Sequence, residues 1–182
     1  MFSIIGLSLL IQATLTTAKW ITVDNGGKWG VWGPQASCPP QTAARGFSIK
    51  VESAQGQFGD DTALNAIKLF CAPPSSTDYK AAITSTEGPW GTWGPILWCP
   101  DGILKSFALQ VEPPMGFLDD TAANNINFEC TDQTVLRPNG GRWGTFGKWS
   151  ESCPNGICAI QTKVEPPGGD DTALNDVTFG CC

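Results

Sequence analysis

The chain has 182 residues, including 8 cysteines, 8 tryptophans, 21 glycines, 14 prolines and no histidine, and is long enough for one domain with a buried core. Only 15% of residues are charged, and the net charge is −6 with 11 basic residues showing no run of Lys or Arg. This argues against a charged disordered tail and against a nucleic-acid partner, which needs clustered cations to displace phosphate counterions. Without histidine there is no Ser-His-Asp or Cys-His nucleophile pair, no His general base and no His metal ligand.

The first element is an uncharged apolar stretch behind Met1 (residues 2–15), followed by the small residues Thr16-Thr17-Ala18. It is short for a membrane span and reads as a secretory signal peptide over residues 1–18, with an uncleaved anchor as the alternative. The mature protein is then Lys19–Cys182, or 182 − 18 = 164 residues, secreted and with no membrane partner. All eight cysteines follow the signal, which predicts disulfides in an oxidising compartment. With no C-x-x-C pair, no metal or other cofactor is expected.

After the signal the sequence repeats three times. The first copy runs Gly27-Lys28-Trp29-Gly30-Val31-Trp32-Gly33, then Cys38-Pro39, Phe47 to Glu52, Asp60-Asp61-Thr62-Ala63-Leu64-Asn65, and Ile67 to Cys71. The second has Trp90-Gly91-Thr92-Trp93-Gly94, Cys99-Pro100, Phe107 to Glu112, Asp119-Asp120-Thr121-Ala122-Ala123-Asn124, and Ile126 to Cys130. The third has Trp143-Gly144-Thr145-Phe146-Gly147, Cys153-Pro154, Ile160 to Glu165, Asp170-Asp171-Thr172-Ala173-Leu174-Asn175, and Val177 to Cys181. The repeats occupy approximately residues 27–71, 88–130 and 141–182 of a single domain, 19–182.

Each copy reads as β. Phe47, Ile49 and Val51 alternate with Ser48, Lys50 and Glu52, as do Phe107, Leu109 and Val111 with their neighbours, which is the period of a half-buried strand. One sheet per copy cannot bury enough apolar area alone, so three sheets facing a common axis are expected, an all-β prism, with a single β-sandwich as the alternative. Each copy has one cysteine after its tryptophan segment and one at the end of its last strand. This predicts Cys38–Cys71 and Cys99–Cys130, closing loops that restrict the unfolded chain by roughly 3 to 4 kcal/mol each. The last four cysteines pair either as Cys153–Cys181 with Cys158–Cys182, by equivalence of the repeats, or as Cys153–Cys182 with Cys158–Cys181. Adjacent strand residues face opposite ways, so both remain open.

The ordered recurrence of W-G-x-[WF]-G, Cys-Pro, Val-Glu and D-D-T-A-[LA]-N resembles the vitelline membrane outer layer protein I family over nearly the whole mature chain. The resemblance implies a β-prism of three Greek-key sheets with pseudo-threefold symmetry. It also implies a secreted protein, known from the outer layer of the egg's vitelline membrane and from other secretions, and associated with binding or transglycosylating N-acetylglucosamine oligosaccharides. Three departures stand out: Phe146 replaces a tryptophan, Ala123 replaces a leucine, and the loop after Val164-Glu165 is shorter.

A glycan transferase needs two carboxylates in different environments. The doublets Asp60-Asp61, Asp119-Asp120 and Asp170-Asp171 could supply them, as could Glu52, Glu112 and Glu165. Their recurrence in every copy instead points to turn chemistry, shared by Asn65, Asn124 and Asn175, because an active site is needed once and a turn three times. A calcium site on the doublets is a further alternative. The repeated Trp29, Trp32, Trp90, Trp93 and Trp143 are expected to pack around the axis. Trp98 and Trp149 break the threefold pattern and are the better candidates for stacking on a sugar, with the non-repeated acids Asp101 and Glu151, and also Glu129 and Asp176, beside them. The sequence therefore predicts a secreted structural or binding protein of an extracellular coat or fluid, holding glycans or coat proteins. The acidic balance also suits a cationic partner such as lysozyme. A weak transferase acting on N-acetylglucosamine oligosaccharides and a jacalin-like lectin are the alternatives.

Overall fold

A computed structural model describes residues 19–53, 63–76, 78–113, 122–168 and 172–182. The segment read as a signal peptide and the three Asp-Asp doublets lie outside these residues.

Three long hairpins carry the alternating apolar segments: β4 (Ala43–Val51) with β5 (Leu64–Ala72), β9 (Leu104–Val111) with β10 (Ala123–Cys130), and β13 (Ile157–Val164) with β14 (Leu174–Cys181). Short strands complete the sheets: β1 (Trp20–Ile21), β2 (Val31–Trp32), β3 (Ala36–Ser37), β6 (Ala81–Ile83), β7 (Thr92–Trp93), β8 (Leu97–Trp98), β11 (Val135–Leu136) and β12 (Thr145–Phe146). The strand orders are β6-β5-β4-β7, β11-β10-β9-β12 and β1-β14-β13-β2, with β8 also on β4 and β3 also on β13, and every pairing is antiparallel. This is one Greek key three times. The third is cut open by the chain ends, since β1, β2 and β3 come from the amino-terminal part and the rest from the carboxyl-terminal part.

The inward faces meet in one core. Phe47 of the first sheet, Phe107 and Phe128 of the second and Phe179 of the third are fully buried. Their rings pack at centroid distances of 4.6 Å (Phe47–Phe128), 4.8 Å (Phe107–Phe179) and 5.2 Å (Phe128–Phe179), within the favourable range for aromatic pairs.

Cut at the repeat boundaries, each tryptophan segment lies on the sheet of another repeat. Lys163 and Val164 pair with Trp32 and Val31, Lys50 and Val51 with Trp93 and Thr92, and Gln110 and Val111 with Phe146 and Thr145. We call these segments latches. The first glycine of each latch is left-handed, with φ of 84° at Gly30, 80° at Gly91 and 74° at Gly144. Each lies directly on the Val-Glu backbone it pairs with, and a Cβ on Gly30 would come within 2.6 Å of the Glu165 nitrogen. Glycine is required on both counts, by conformation and by space.

Disulfides then tie each sheet to the next. Cys38, beside β3 on the third sheet, bonds to Cys71 on the first, Cys99 beside β8 to Cys130 on the second, and Cys153 to Cys181 on the third, while Cys158–Cys182 closes the end of the third hairpin.

The repeated tryptophans do not pack around the axis as expected. Trp29, Trp90 and Trp143 are 59%, 48% and 56% exposed, and Trp32 and Phe146 are also exposed. The reason is the latch glycine. It places backbone against backbone on the inner side, the phenylalanines already fill the centre, and the indoles are left pointing outward. Replacing Gly91 with Ala should therefore cost about 2 kcal/mol or more, from the strained φ and the backbone clash together. Urea denaturation would read the loss, and an unchanged midpoint would contradict this account of the latch.

Candidate functional site

Each latch is held from below by a buried asparagine. Asn65 and Asn175 are fully buried. The Asn65 Oδ1 accepts the Trp90 N–H at 3.2 Å, and the Asn175 Oδ1 accepts the Trp29 N–H at 3.2 Å. Their backbone oxygens accept from Gly88 at 2.8 Å and Gly27 at 2.7 Å, and that of Asn124 accepts from Gly141 at 2.7 Å. From the side, the residue before each Val-Glu reaches the latch carbonyls. Lys50 Nζ donates to Gly88 O at 2.9 Å, Lys163 Nζ to Lys28 O at 2.7 Å, and Gln110 Nε2 to Trp143 O at 2.8 Å. The third copy shows a further link: Thr172 Oγ1 donates to Glu165 Oε2 at 2.7 Å and accepts from Asn175 Nδ2 at 2.6 Å. Glu165 and the repeated asparagines thus serve the latch. The outcome is three indoles carried on a backbone anchored to the sheet beneath by hydrogen bonds, including the Asn175 and Asn65 bonds to the backbone N–H groups of Trp29 and Trp90, so less backbone freedom remains to be lost when a ligand binds.

The four candidate residues fall in three places. Trp149 and Glu151 come together with Trp20, Asp24 and Lys148 around a groove of about 410 Å³. Glu151 pairs with Lys19 at 2.6 Å, and this ion pair lowers its carboxyl pKa. Trp98, on β8 of the first sheet, is half-buried and stacks against Phe70 and Tyr79 at 5.7 and 6.3 Å. Gly46 leaves room for its ring, since a Cβ there would lie 2.6 Å from the indole. Asp101 is exposed in a turn, where its N–H donates to Asp132 Oδ2 at 3.1 Å. Of the other acids, Glu129 pairs with Lys105 at 3.2 Å and accepts from Ser106 at 3.0 Å.

Sequence reading missed a larger groove of about 660 Å³ beside the third latch, lined by Trp143, Arg142, Arg137, Asn139, Glu52 and Thr92 among others. A smaller one of about 200 Å³ lies beside the first latch, between Trp29, Lys28 and Glu112. Comparing the linkers that precede the three tryptophans was the available signal. Among the described residues no group of Cys, Asp or Glu is placed to hold a metal ion, and no helix is long and apolar enough to cross a membrane.

A sequence model described as "Vitelline membrane outer layer protein I" matches residues 19–182. The vitelline membrane outer layer protein 1 homolog of Mus musculus is 46% identical over 168 residues, covering 91% of this chain and 84% of that protein. Its Homo sapiens counterpart is 48% identical over 165 residues, covering 89% and 82%. Among solved structures, Calsepa lectin in complex with bisected glycan superposes with a TM-score of 0.59 at 13% identity, over 92% of this chain and 99% of the lectin. A mannose-specific jacalin-related lectin from Morus nigra in complex with mannose gives 0.55 at 14% identity, over 93% and 97%. At that identity the likeness is one of fold, and it places this chain among the β-prisms.

One carboxyl stands apart electrostatically. Burial pushes the Asp176 pKa up from 3.8 to about 6, against the opposing effects of the Val177 N–H and the Lys163 ammonium. Its Oδ1 accepts the Val177 N–H at 2.8 Å, as the Asn125 Oδ1 accepts the Ile126 N–H at 2.9 Å in the second copy. With the folded value raised, the folded state binds the proton between pH 4 and 6 while the unfolded chain has released it, so stability falls as pH rises through that window. Asp176→Asn should raise stability at pH 7 by about 1 to 2 kcal/mol and change it little at pH 4. Denaturation curves at the two pH values would test this, and an equal effect at both would contradict it.

Proposed function

The chain belongs to the vitelline membrane outer layer protein I family, and on that premise we propose that it is a secreted glycan-binding component of an extracellular coat or fluid, working without a catalytic step. The observation that carries this reading is the outward presentation of Trp29, Trp90 and Trp143 on latches whose preceding glycines Gly27, Gly88 and Gly141 are hydrogen-bonded to the sheet beneath. An indole face with an N–H at its edge suits the apolar face and hydroxyl rim of a sugar ring. Three such faces on one molecule give multivalent attachment to a repeating glycan, in which each further contact is intramolecular. The groove at Trp149 and Glu151 adds a further contact surface of the same kind.

Four disulfides support an oxidising, extracellular setting, as does the apolar segment over residues 1–18, read as a cleaved signal. The superposed proteins described as lectins in complex with glycan and with mannose add support for a saccharide ligand on this architecture. A transferase reading draws less support. Glu165 is occupied with Thr172, Glu129 with Lys105 and Ser106, and Glu151 with Lys19, so these acids serve the fold or surface pairing.

The purified protein applied to a glycan array, followed by titration with the retained oligosaccharide, tests the proposal. Each of Trp29→Ala, Trp90→Ala and Trp143→Ala should weaken binding by about 1 kcal/mol, roughly fivefold, with the melting temperature unchanged. Incubation with chito-oligosaccharides should yield no new products. Absence of any retained glycan would overturn the binding role, and turnover lost on substituting a carboxylate would replace it with the transferase.

A further inference from the structure

The residues leading into the three latch tryptophans share one backbone contact, since Gly27, Gly88 and Gly141 each donate to the backbone oxygen of the repeated asparagine. They are not equivalent in charge. The first linker, Val23 to Lys28, holds Asp24 and Lys28, which cancel. The second, Thr84 to Pro89, holds Glu87 alone, for −1. The third, Arg137 to Arg142, holds two arginines and no acid, for +2. On a chain with a net charge of −6, the third latch reverses the local sign.

The fold does not explain the arginines. It uses the latch glycine and tryptophan in every copy, whereas the positions of Arg137 and Arg142 are filled elsewhere by Val23 and Lys28 and by Thr84 and Pro89. Both arginines are exposed, and among the described residues neither guanidinium makes an ion pair or a hydrogen bond. Both line the groove of about 660 Å³ that also contains Trp143, with Glu52 as the acid on the facing strand end. A guanidinium is a rigid fork of donors matched to the paired oxygens of a sulfate or carboxylate. Next to an exposed indole, it offers one site for an anion and one for a ring face.

We infer that the groove of the third latch binds an acidic saccharide, one carrying a sulfate ester or a carboxylate. The inference rests on the glycan-binding reading and adds which of the three latches selects for charge. The indole face decides for a saccharide over an acidic peptide, because it is the element shared by all three latches, and the arginines are an addition to it at one.

The whole chain is titrated with chitotriose, with its 6-O-sulfated form and with sialyllactose, at low and high ionic strength. The sulfated or the sialylated probe should bind about tenfold more tightly than the neutral one at low salt, and the advantage should shrink as salt rises. The two acidic probes distinguish the ester from the carboxylate. In Arg137→Gln/Arg142→Gln the advantage should vanish, leaving the acidic probes no tighter than the neutral one, and in Trp143→Ala the acidic probe should weaken although both arginines remain. Both substituted arginines are exposed, and an unchanged melting temperature confirms folding. Equal binding of neutral and acidic probes by the unaltered protein would overturn the inference and leave the glycan reading standing. So would a preference that survives the double substitution, or polyglutamate binding as tightly as the acidic saccharide. Failure of every saccharide to bind would instead remove the glycan reading itself, and this inference with it.

Discussion

The contact of a left-handed glycine with the backbone of a neighbouring Val-Glu is the constraint on which the rest of this molecule depends. Gly30, Gly91 and Gly144 make it at three places. Each contact docks a short strand on the open edge of a long hairpin, completing a Greek key and covering an edge that would otherwise be free to pair with other chains. Because the docking strand belongs to another repeat, no repeat completes its own sheet. The ring closes only when the amino-terminal strands meet the carboxyl-terminal hairpin, and the disulfides then staple each corner. The same contact sets the surface. With backbone on its inner side, a latch has nowhere to put an indole except outward.

Much of the fold was legible in the sequence because its signals are local or repeated. The alternation through Phe47, Ile49 and Val51 marked a strand, and three ordered copies marked three sheets. The half-buried reading was wrong for the first strand, where Arg45 and Ser48 on the other face are buried under the docked β7 and β8. The direction of the latch tryptophans was not legible. Strand alternation assigns faces only while the backbone stays extended, and one residue at positive φ breaks the count. The pairing of the last four cysteines was open for a related reason: Cys181 and Cys182 are adjacent, and the bulge within the third hairpin decides which side each reaches.

The candidate sites were less legible because they are assembled from distant parts of the chain. Trp149 and Glu151 gained their partners Trp20 and Lys19 from the opposite end of the chain. Arg137 and Arg142, five residues apart, make no basic run, and only the fold brings both to the lining of one groove with Trp143. The Asp-Asp doublets lie outside the described residues, and the side chains seen to support the latches are Asn65 and Asn175, which follow the doublets in the same motif. Features present in all three copies serve the prism, and features present once give one part of its surface a chemistry of its own.

Native-state hydrogen exchange on the unaltered chain and on Gly91→Ala tests the latch account most directly, read at the core amides of all three long hairpins. Sheets completed by one another's strands and joined in one core should open together. The account predicts one shared opening free energy in the unaltered protein and an equal drop in all three hairpins in the variant. Separate opening energies, or a loss confined to the first sheet, would contradict it.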